Sequence, residues 1–392
     1  MKYVKWCDES VELLKELVQN GLTWPEITDE LKTAGFPHSK ASIKEKWYSI
    51  RDDKQVTLKE RQNARRARKQ ATQRAKEVRE VLDGLNSLDD LEERFSKLVA
   101  KVNKKEHKIR DIGYRVGGVP MVIECLLSDL HYGKKTNKFN YAVARKRMKL
   151  YAEQVINSIQ DKSDQGYDVQ EIVVGLLGDI IESSTMHGPE SLKGCEFGNS
   201  EQMVKATESL YHDFFEPLVN AGVKIRVKAI PGNHERTDPK KTFHKPGREY
   251  MSFVIYNFLE KLLKQSYPNA DIKFDITDGP CATHKIFGDV VLYEHGDMTK
   301  GNTKAALTSM LAKRQQQLGQ IVEFYRVGHT HEYTVYDRGR IMVNGCLPGN
   351  DDYAEALGFR SESSQTINFY CKTKNRPNSF YYSYAPFLGE GE

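Results

Sequence analysis

The sequence predicts an α/β protein preceded by a small helical unit and a charged helical segment. From Met121 onward, apolar runs typical of buried strands alternate with amphipathic runs typical of helices. Residues 1–52 contain all three tryptophans, whereas residues 53–117 are dense in charge and contain no proline. A chain of 392 residues is long for one domain. We therefore divide it into residues 1–52, 53–117 and 118–392.

Composition argues against a membrane protein and against a disulfide-stabilised one. Apolar residues make up 39% of the chain, and the longest apolar run, near Ile172, contains Gly and Asp and is too short to span a bilayer. The N-terminus lacks the apolar region of a secretory signal. The six cysteines are scattered without a CxxC pair, as is typical of reduced thiols. We expect a cytoplasmic protein with no membrane partner.

The first segment carries the start and stop signals of three short helices. Asp8 can cap the first helix, and Gly21 ends it. The sequence Thr23–Glu26 is a capping box with proline in the first turn, and it opens the second helix. Gly35 ends that helix, and Ser39 can cap a third that runs to about residue 50. Three short helices joined by tight turns are the pattern of a helix-turn-helix unit.

This segment resembles the Myb/SANT-like DNA-binding repeat. The matching residues are Trp6, Glu9, Leu13 or Leu14, Trp24, Ile27, Lys46 and Trp47. The resemblance implies DNA contact through the third helix, and the candidate contact residues there are Lys40, Lys44, Lys46 and Arg51. The alternative is a three-helix scaffold that binds protein and uses its tryptophans only as core.

The second segment begins with a strongly basic stretch. Between Lys54 and Arg79 there are ten Lys or Arg residues and two Glu residues. A basic helix of this kind suits contact with a phosphate backbone without base specificity, through Arg61, Arg65, Arg66 and Arg68. The alternative is a solvated linker helix. An amphipathic seam follows, which is too short to decide between docking on the third segment and a homodimer: Val81, Leu82, Leu85, Leu88, Leu91, Phe95 and Leu98.

Five polar motifs each follow an apolar strand in the third segment. They are Asp129-Leu130-His131, Gly178-Asp179, Gly232-Asn233-His234-Glu235, His295-Gly296-Asp297 and Gly328-His329-Thr330-His331. Because sites in α/β folds form beyond the carboxyl ends of strands, we expect these motifs to converge. Two carboxylates, one amide oxygen and four imidazoles suit two divalent transition metals. Alternation along an extended segment would direct Asp129 and His131 to the same side.

The ordered set of motifs resembles the calcineurin-like metallophosphoesterases. The resemblance implies a β-sandwich flanked by helices, with two divalent ions that activate water for in-line attack on phosphorus. It implies one ion held by Asp129, His131, Asp179 and His331. It implies a second ion held by Asp179, Asn233, His295 and His329, with Asp179 bridging. We expect manganese, with iron, zinc or nickel as alternatives.

The same resemblance implies catalytic residues and a branch of the family. His234 is the candidate acid for the leaving group, and Glu182 is its candidate orienting partner. Protein phosphatases of the family have Asp-Arg where this chain has Glu182-Ser183, so their phosphate-clamping arginine is absent. The layout looks more like the phosphodiesterase and nuclease branch, which includes recombination-repair exonucleases and phage-encoded relatives. The motif at 344–349 also resembles the phage-encoded relatives.

The sequence thus predicts a metal-dependent phosphodiesterase, a DNA nuclease that its N-terminal region delivers to DNA. One alternative is a phosphoesterase for small nucleotides whose N-terminal region recruits proteins. Another is a DNA-binding regulator with an inert metal domain, against which the intact ligand set argues. Further candidates for holding nucleic acid lie in loops beside the motifs: Tyr132, Lys134, Lys135, His187, Arg236, His244 and Arg248.

Overall fold

A computed structural model describes most of the chain. The described residues are 5–51, 88–102, 110–186, 188–237, 247–349, 362–372 and 380–389. The chain divides into two compact units, residues 1–77 and 78–392. The predicted contact residues Arg61, Arg65, Arg66 and Arg68 lie outside the described residues.

The first unit contains three helices, as the sequence predicts: α1 (Asp8–Gln19), α2 (Trp24–Thr33) and α3 (Lys40–Arg51). The capping box is confirmed, since the backbone N–H of Thr23 donates to the Glu26 carboxylate at 2.7 Å. The Ser39 hydroxyl accepts from the N–H of Ser42 at 3.2 Å. The helices enclose a small apolar core that consists of Leu14, Ile27, Leu31 and Ile43. The three tryptophans pack against this core. Helix α1 is capped one residue earlier than predicted, from Cys7.

The second unit alternates helices and strands. Its helices are α4 (Leu88–Val102), α5 (Tyr141–Asp164), α6 (Asn199–Ser209), α7 (Glu216–Asn220), α8 (Met251–Ser266) and α9 (Lys304–Leu318). A π-helical turn (Leu210–Phe215) joins α6 to α7, and 3-10 turns occupy Gly188–Gly194 and Asp337–Gly339. Among the described residues, no helix combines the length and apolarity that crossing a membrane requires.

The strands form two mixed sheets. They are β1 (Val119–Leu127), β2 (Tyr167–Leu176), β3 (Lys224–Ala229), β4 (Ile272–Ile276), β5 (Cys281–Ile286), β6 (Asp289–Glu294), β7 (Phe324–Val327), β8 (Thr334–Tyr336), β9 (Ile341–Val343), β10 (Ile367–Cys371) and β11 (Phe380–Tyr384). The first sheet has the order β11-β10-β1-β2-β3-β4, and β1 to β4 are parallel. The second has the order β5-β6-β7-β9-β8, and β6, β7 and β9 are parallel.

Apolar packing shows that the two sheets lie face to face between helices. On β1, Val122 and Leu126 join an apolar cluster shared with Val291 of the second sheet. The alternate residue Ile123 points to the other face, where α5, α6 and α8 cover the first sheet. Helix α9 covers the outer face of the second sheet through Leu307. The predicted sandwich flanked by helices is confirmed.

A buried ion pair ties the two sheets together. Arg326 on β7 and Glu124 on β1 are both fully buried, and Arg326 Nε donates to the Glu124 carboxylate at 2.9 Å. The same carboxylate accepts from the hydroxyls of Tyr293 and Tyr370 at 2.5 and 2.8 Å. Such a pair is tolerated because these bonds replace the lost hydration.

Helix α4 packs on the second unit. Phe95 and Leu98 are buried in its core, and the ring of Phe95 lies 3.9 Å from that of Phe258. The sequence places this helix in the linker, within its amphipathic seam. Leu91, Phe95 and Leu98 of the seam therefore pack within the larger unit, to which α4 belongs, while Val81, Leu82 and Leu85 lie outside the described residues.

Candidate functional site

The five predicted motifs lie at the carboxyl ends of five strands. β1 ends at Leu127, β2 at Leu176, β3 at Ala229, β6 at Glu294 and β7 at Val327, and a motif begins within three residues of each. Because β1, β2 and β3 are parallel and β6 and β7 are parallel, their motif loops can gather at one edge of each sheet. The predicted placement of the motifs is confirmed.

One group of ligand-type side chains joins the first motif to the fifth. Asp129, His131 and His331 each offer an atom within 4.8 Å of the others. The Nε2 atoms of His131 and His331 are 3.1 Å apart, and Nε2 of His331 is 3.3 Å from Oδ1 of Asp129. These three atoms lie close enough together to bind a single ion.

A second group joins the second, fourth and fifth motifs. Asp179, His295 and His329 also offer atoms within 4.8 Å of one another. Nε2 of His295 lies 3.1 Å from Oδ2 of Asp179 and 3.0 Å from Oδ1 of Asn233. Nδ1 of His295 donates to the carbonyl of Leu177 at 2.7 Å. That bond occupies Nδ1, so Nε2 is the ring atom that faces Asp179 and Asn233 and that would bind an ion.

The donor set fits divalent ions. Oδ1 of Asp129 and Nδ1 of His329 are buried and make no hydrogen bond within the described part of the chain. Buried polar atoms normally have a partner, so these two atoms are expected to bind a group that completes the site. Mixed imidazole, carboxylate and amide ligands suit transition metals. The structure thus brings all seven predicted ligands into two groups, and the bridging role of Asp179 stays a prediction.

The backbone of the ligand residues is unusual. Asp129, His131, Asp179, His329 and His331 have φ values of 53°, 49°, 51°, 74° and 61°. The left-handed region costs L-residues about 1–2 kcal/mol each, and such strain clusters at functional sites. Asp129 and His131 do come together in one group, but the expected alternation along an extended segment is not the reason, because both residues are left-handed and turn this segment.

Two glycines allow the loops to approach one another. A Cβ at Gly232 would lie 2.2 Å from Oδ1 of Asp179, and one at Gly328 would lie 2.6 Å from Oδ2 of Asp129. No side chain other than hydrogen fits at these contacts. The backbones of the third and fifth motifs therefore lie directly against the carboxylates of the second and first.

Burial and neighbouring carboxylates set the charge of the imidazoles in the site. Burial lowers the pKa of His131 to about 4, so the ring is uncharged and able to act as a ligand near neutral pH. Burial also opposes charge on His295, but the Asp179 carboxylate raises its pKa to about 10. The carboxylates thus attract positive charge, and a bound cation would displace protons from the site.

The candidate acid His234 lies beside both groups. Its Nδ1 donates to the main-chain carbonyl of Glu182 at 2.6 Å, and its Nε2 is 3.9 Å from Oδ2 of Asp179. The sequence assigns Glu182 to His234 as an orienting partner. The structure shows this contact through the backbone carbonyl, whereas the Glu182 carboxylate lies 2.8 Å from Nδ1 of His131.

Glu235 is a positioning residue that sequence reasoning missed. It is fully buried, and its carboxylate accepts from the backbone N–H groups of Gly232, Asp179 and Ile180. These bonds hold the second motif against the third. Burial and the nearby Asp179 charge raise the pKa of Glu235 to about 7. Its signal was its position directly after Asn233-His234 in the motif.

The predicted nucleic-acid contacts on α3 do not all share one face. Positions 40 and 44 differ by about one helical turn, so Lys40 and Lys44 lie on one side of the helix, while the side chain of Arg51 lies outside the described part of the chain. Lys46 lies two residues beyond Lys44 and therefore points away from that side. The ammonium of Lys44 lies 5.7 Å from the ring centre of Trp24.

Two of the loop candidates are not placed to contact nucleic acid. Tyr132 is fully buried, and its hydroxyl is 2.7 Å from that of Ser209. Arg236 is buried and pairs with Asp297, the acidic residue of the fourth motif. His187 and His244 lie outside the described residues.

Comparison with solved structures finds only weak similarity. Vps29 from Cryptosporidium parvum is 12% identical, with a TM-score of 0.30 over 68% of this chain and 99% of that one. A predicted phosphoesterase from Streptococcus pneumoniae is 12% identical, with a TM-score of 0.27 over 68% and 98%. A putative 5'-nucleotidase from Staphylococcus aureus is 10% identical, with a TM-score of 0.31 over 68% and 54%. Similarity at this level assigns neither family nor activity. No protein-family model and no curated protein matches the chain.

Proposed function

We propose that this protein is a metal-dependent phosphodiesterase that acts on DNA. The observation that carries the proposal is the convergence of ligand-type side chains from five strand ends into two adjacent groups. The proposed ligands of the first ion are Asp129, His131, Asp179 and His331. Those of the second are Asp179, Asn233, His295 and His329.

The protein's own residues supply the remaining chemistry. When bound, two divalent ions would act as Lewis acids that lower the pKa of a water molecule and neutralise charge developing on the phosphate. His234 is proposed to protonate the leaving oxygen. Its Nδ1 is occupied by the carbonyl of Glu182 at 2.6 Å, so Nε2 is the atom that delivers the proton.

The charge of the substrate favours a diester. A phosphate monoester carries about two negative charges at neutral pH, whereas a diester carries one, so a diester needs fewer protein cations. The arginine that clamps phosphate in protein phosphatases of the family is replaced here by Ser183. The Ser183 side chain is uncharged, and its buried hydroxyl lies 3.1 Å from that of Thr185. Position 183 therefore lacks the positive charge that the arginine provides in protein phosphatases.

Basic residues outside the metal centre support DNA as the diester. Lys40 and Lys44 share one side of α3, and the sequence between residues 54 and 79 has a net charge of +8, from ten basic and two acidic residues. Contacts of this kind bind the phosphate backbone independently of sequence. Small nucleotides are the alternative substrate, and the N-terminal region would then serve to bind protein.

The test is a substrate panel with Mn²⁺-loaded protein. It consists of bis-p-nitrophenyl phosphate, p-nitrophenyl phosphate, and single-stranded, duplex and nicked DNA. We expect turnover of the chromogenic diester above the monoester, together with shortening of at least one DNA. Turnover of small esters without DNA cleavage would favour the nucleotide alternative. Equal activity after complete metal removal would contradict the metal centre itself.

A further inference from the structure

Glu182 lies between two imidazoles and contacts them in different ways. Its carboxylate Oε2 is 2.8 Å from Nδ1 of His131 but 3.9 Å from Nδ1 of His234. The closer contact to His234 is made by the main-chain carbonyl, at 2.6 Å. Because every residue type has this carbonyl, the shortest contact between His234 and residue 182 does not require a carboxylate side chain.

The contact between the carboxylate and His131 has no substitute nearby. The His131 ring is 1% exposed, and its Nε2 faces His331 at 3.1 Å, so only Nδ1 remains for a partner. Within the described part of the chain, Nδ1 of His131 and Oε2 of Glu182 are both buried and neither makes a hydrogen bond, so the 2.8 Å between them is a polar contact of two otherwise unsatisfied atoms. Removal of the carboxylate would take away the acceptor that lies beside this buried ring nitrogen.

We propose that Glu182 is a positioning residue for the metal ligand His131, and not the partner of the acid His234. The inference rests on the proposed metal centre. A carboxylate that accepts from Nδ1–H fixes the tautomer with its lone pair on Nε2, holds the ring in place and makes the ligand more basic. Loss of such an outer partner typically weakens metal affinity by about 10–100-fold.

The test measures metal binding directly by calorimetric titration of metal-free protein with Mn²⁺. For Glu182→Ala we expect the dissociation constant of one of the two ions to rise about 10–100-fold. For Glu182→Gln, whose amide oxygen can still accept from Nδ1, we expect a smaller rise. Glu196→Gln is the matched control, because Glu196 lies in a nearby loop and accepts from the backbone of Tyr141. It should leave both constants unchanged.

Kinetics at saturating Mn²⁺ distinguish a role of Glu182 in metal binding from a role in orienting the acid His234. The Glu182 variants should recover turnover as Mn²⁺ is raised, and their dependence on leaving-group pKa should match that of the natural protein. Unchanged metal affinity in both variants, or a changed leaving-group dependence, would overturn the inference. Absence of metal binding by the natural protein would instead contradict the proposed function. Thermal unfolding of the metal-free variants shows whether Glu182→Ala has a folding defect. If it does, the metal affinity of the conservative variant Glu182→Gln tests the inference.

Discussion

Replacement of Gly232 by alanine is a sharp test of how the metal centre is assembled. Gly232 precedes the ligand Asn233, and its backbone lies against Asp179 of the neighbouring motif. An added Cβ would be 2.1 Å from the backbone nitrogen of Asp179 and 2.2 Å from its Oδ1. Gly232 does not have a positive φ, so the alanine is opposed by contact and not by backbone conformation.

The size of the effect follows from these distances. Ordinary van der Waals contact begins near 3.4 Å, so the two loops must separate by about 1.3 Å, the difference between 3.4 and 2.1 Å. Overpacking of this kind typically costs about 1–3 kcal/mol of stability. A displacement of about 1 Å at catalytic groups lowers the rate roughly 10²-fold. We therefore expect a folded protein that binds metal poorly and turns over about 10²-fold more slowly.

Metal content by mass spectrometry, diesterase activity and urea unfolding measure the three consequences together. The matched control is Gly194→Ala, since a Cβ at Gly194 meets nothing within 4 Å and its φ is not positive. The control should resemble the natural protein in all three measurements. Full metal content and normal turnover in Gly232→Ala would refute the inference that the two loops must approach closely to bind the two metal ions.

Three further predictions concern the acid, the core and the DNA contacts. His234→Gln should keep metal content but lower turnover about 10²–10⁴-fold, with a smaller loss for substrates whose leaving group is p-nitrophenol. An equal loss of turnover for all leaving groups would point to a structural role. Arg326→Met should lower the free energy of unfolding by about 3–5 kcal/mol, with partial recovery when Glu124→Leu is added, as measured by urea unfolding. Joint replacement of Lys40 and Lys44 by Gln should reduce the salt slope of DNA binding by about 1.8, since each phosphate contact contributes about 0.9. Lys46→Gln, on another side of the helix, is the control, and an equal effect there would contradict the proposed face.

The sequence predicts the order of the strands and the motif at the end of each because both signals are local. An apolar run followed by Gly-Asp or Gly-His needs no tertiary information to be recognised. The grouping of Asp129 with His331, 202 residues apart, came instead from the family resemblance. The structure brings these two side chains to 3.3 Å through the sheets that hold their strands.

Local geometry at the site was less predictable. The left-handed φ values of Asp129 and His131 are imposed by the loops around them, and an alternating pattern cannot reveal them. The contacts of Glu182 were unpredictable for a similar reason. Which of two imidazoles its carboxylate reaches depends on ring positions set by three different loops.

The helical segments show the same limit. Helix α4 was recognisable from its apolar spacing, but its partner was not, since an amphipathic face does not specify what covers it. Phe95 and Leu98 pack on α6 and α8, which lie more than a hundred residues later in the sequence. On α3, helical geometry places Lys40 and Lys44 on one side and the third candidate lysine, Lys46, on another.

Asp179 is the carboxylate that is proposed to serve two metal ions. The most direct measurement is the number of Mn²⁺ ions bound per chain, in the natural protein and in Asp179→Asn. The control is Asp275→Asn, which alters an exposed carboxylate paired with Lys228 at 2.8 Å. We predict two ions for the natural protein and the control, and loss at both positions, with loss of diesterase activity, in Asp179→Asn. Two tightly bound ions and near-normal turnover in Asp179→Asn would contradict the account.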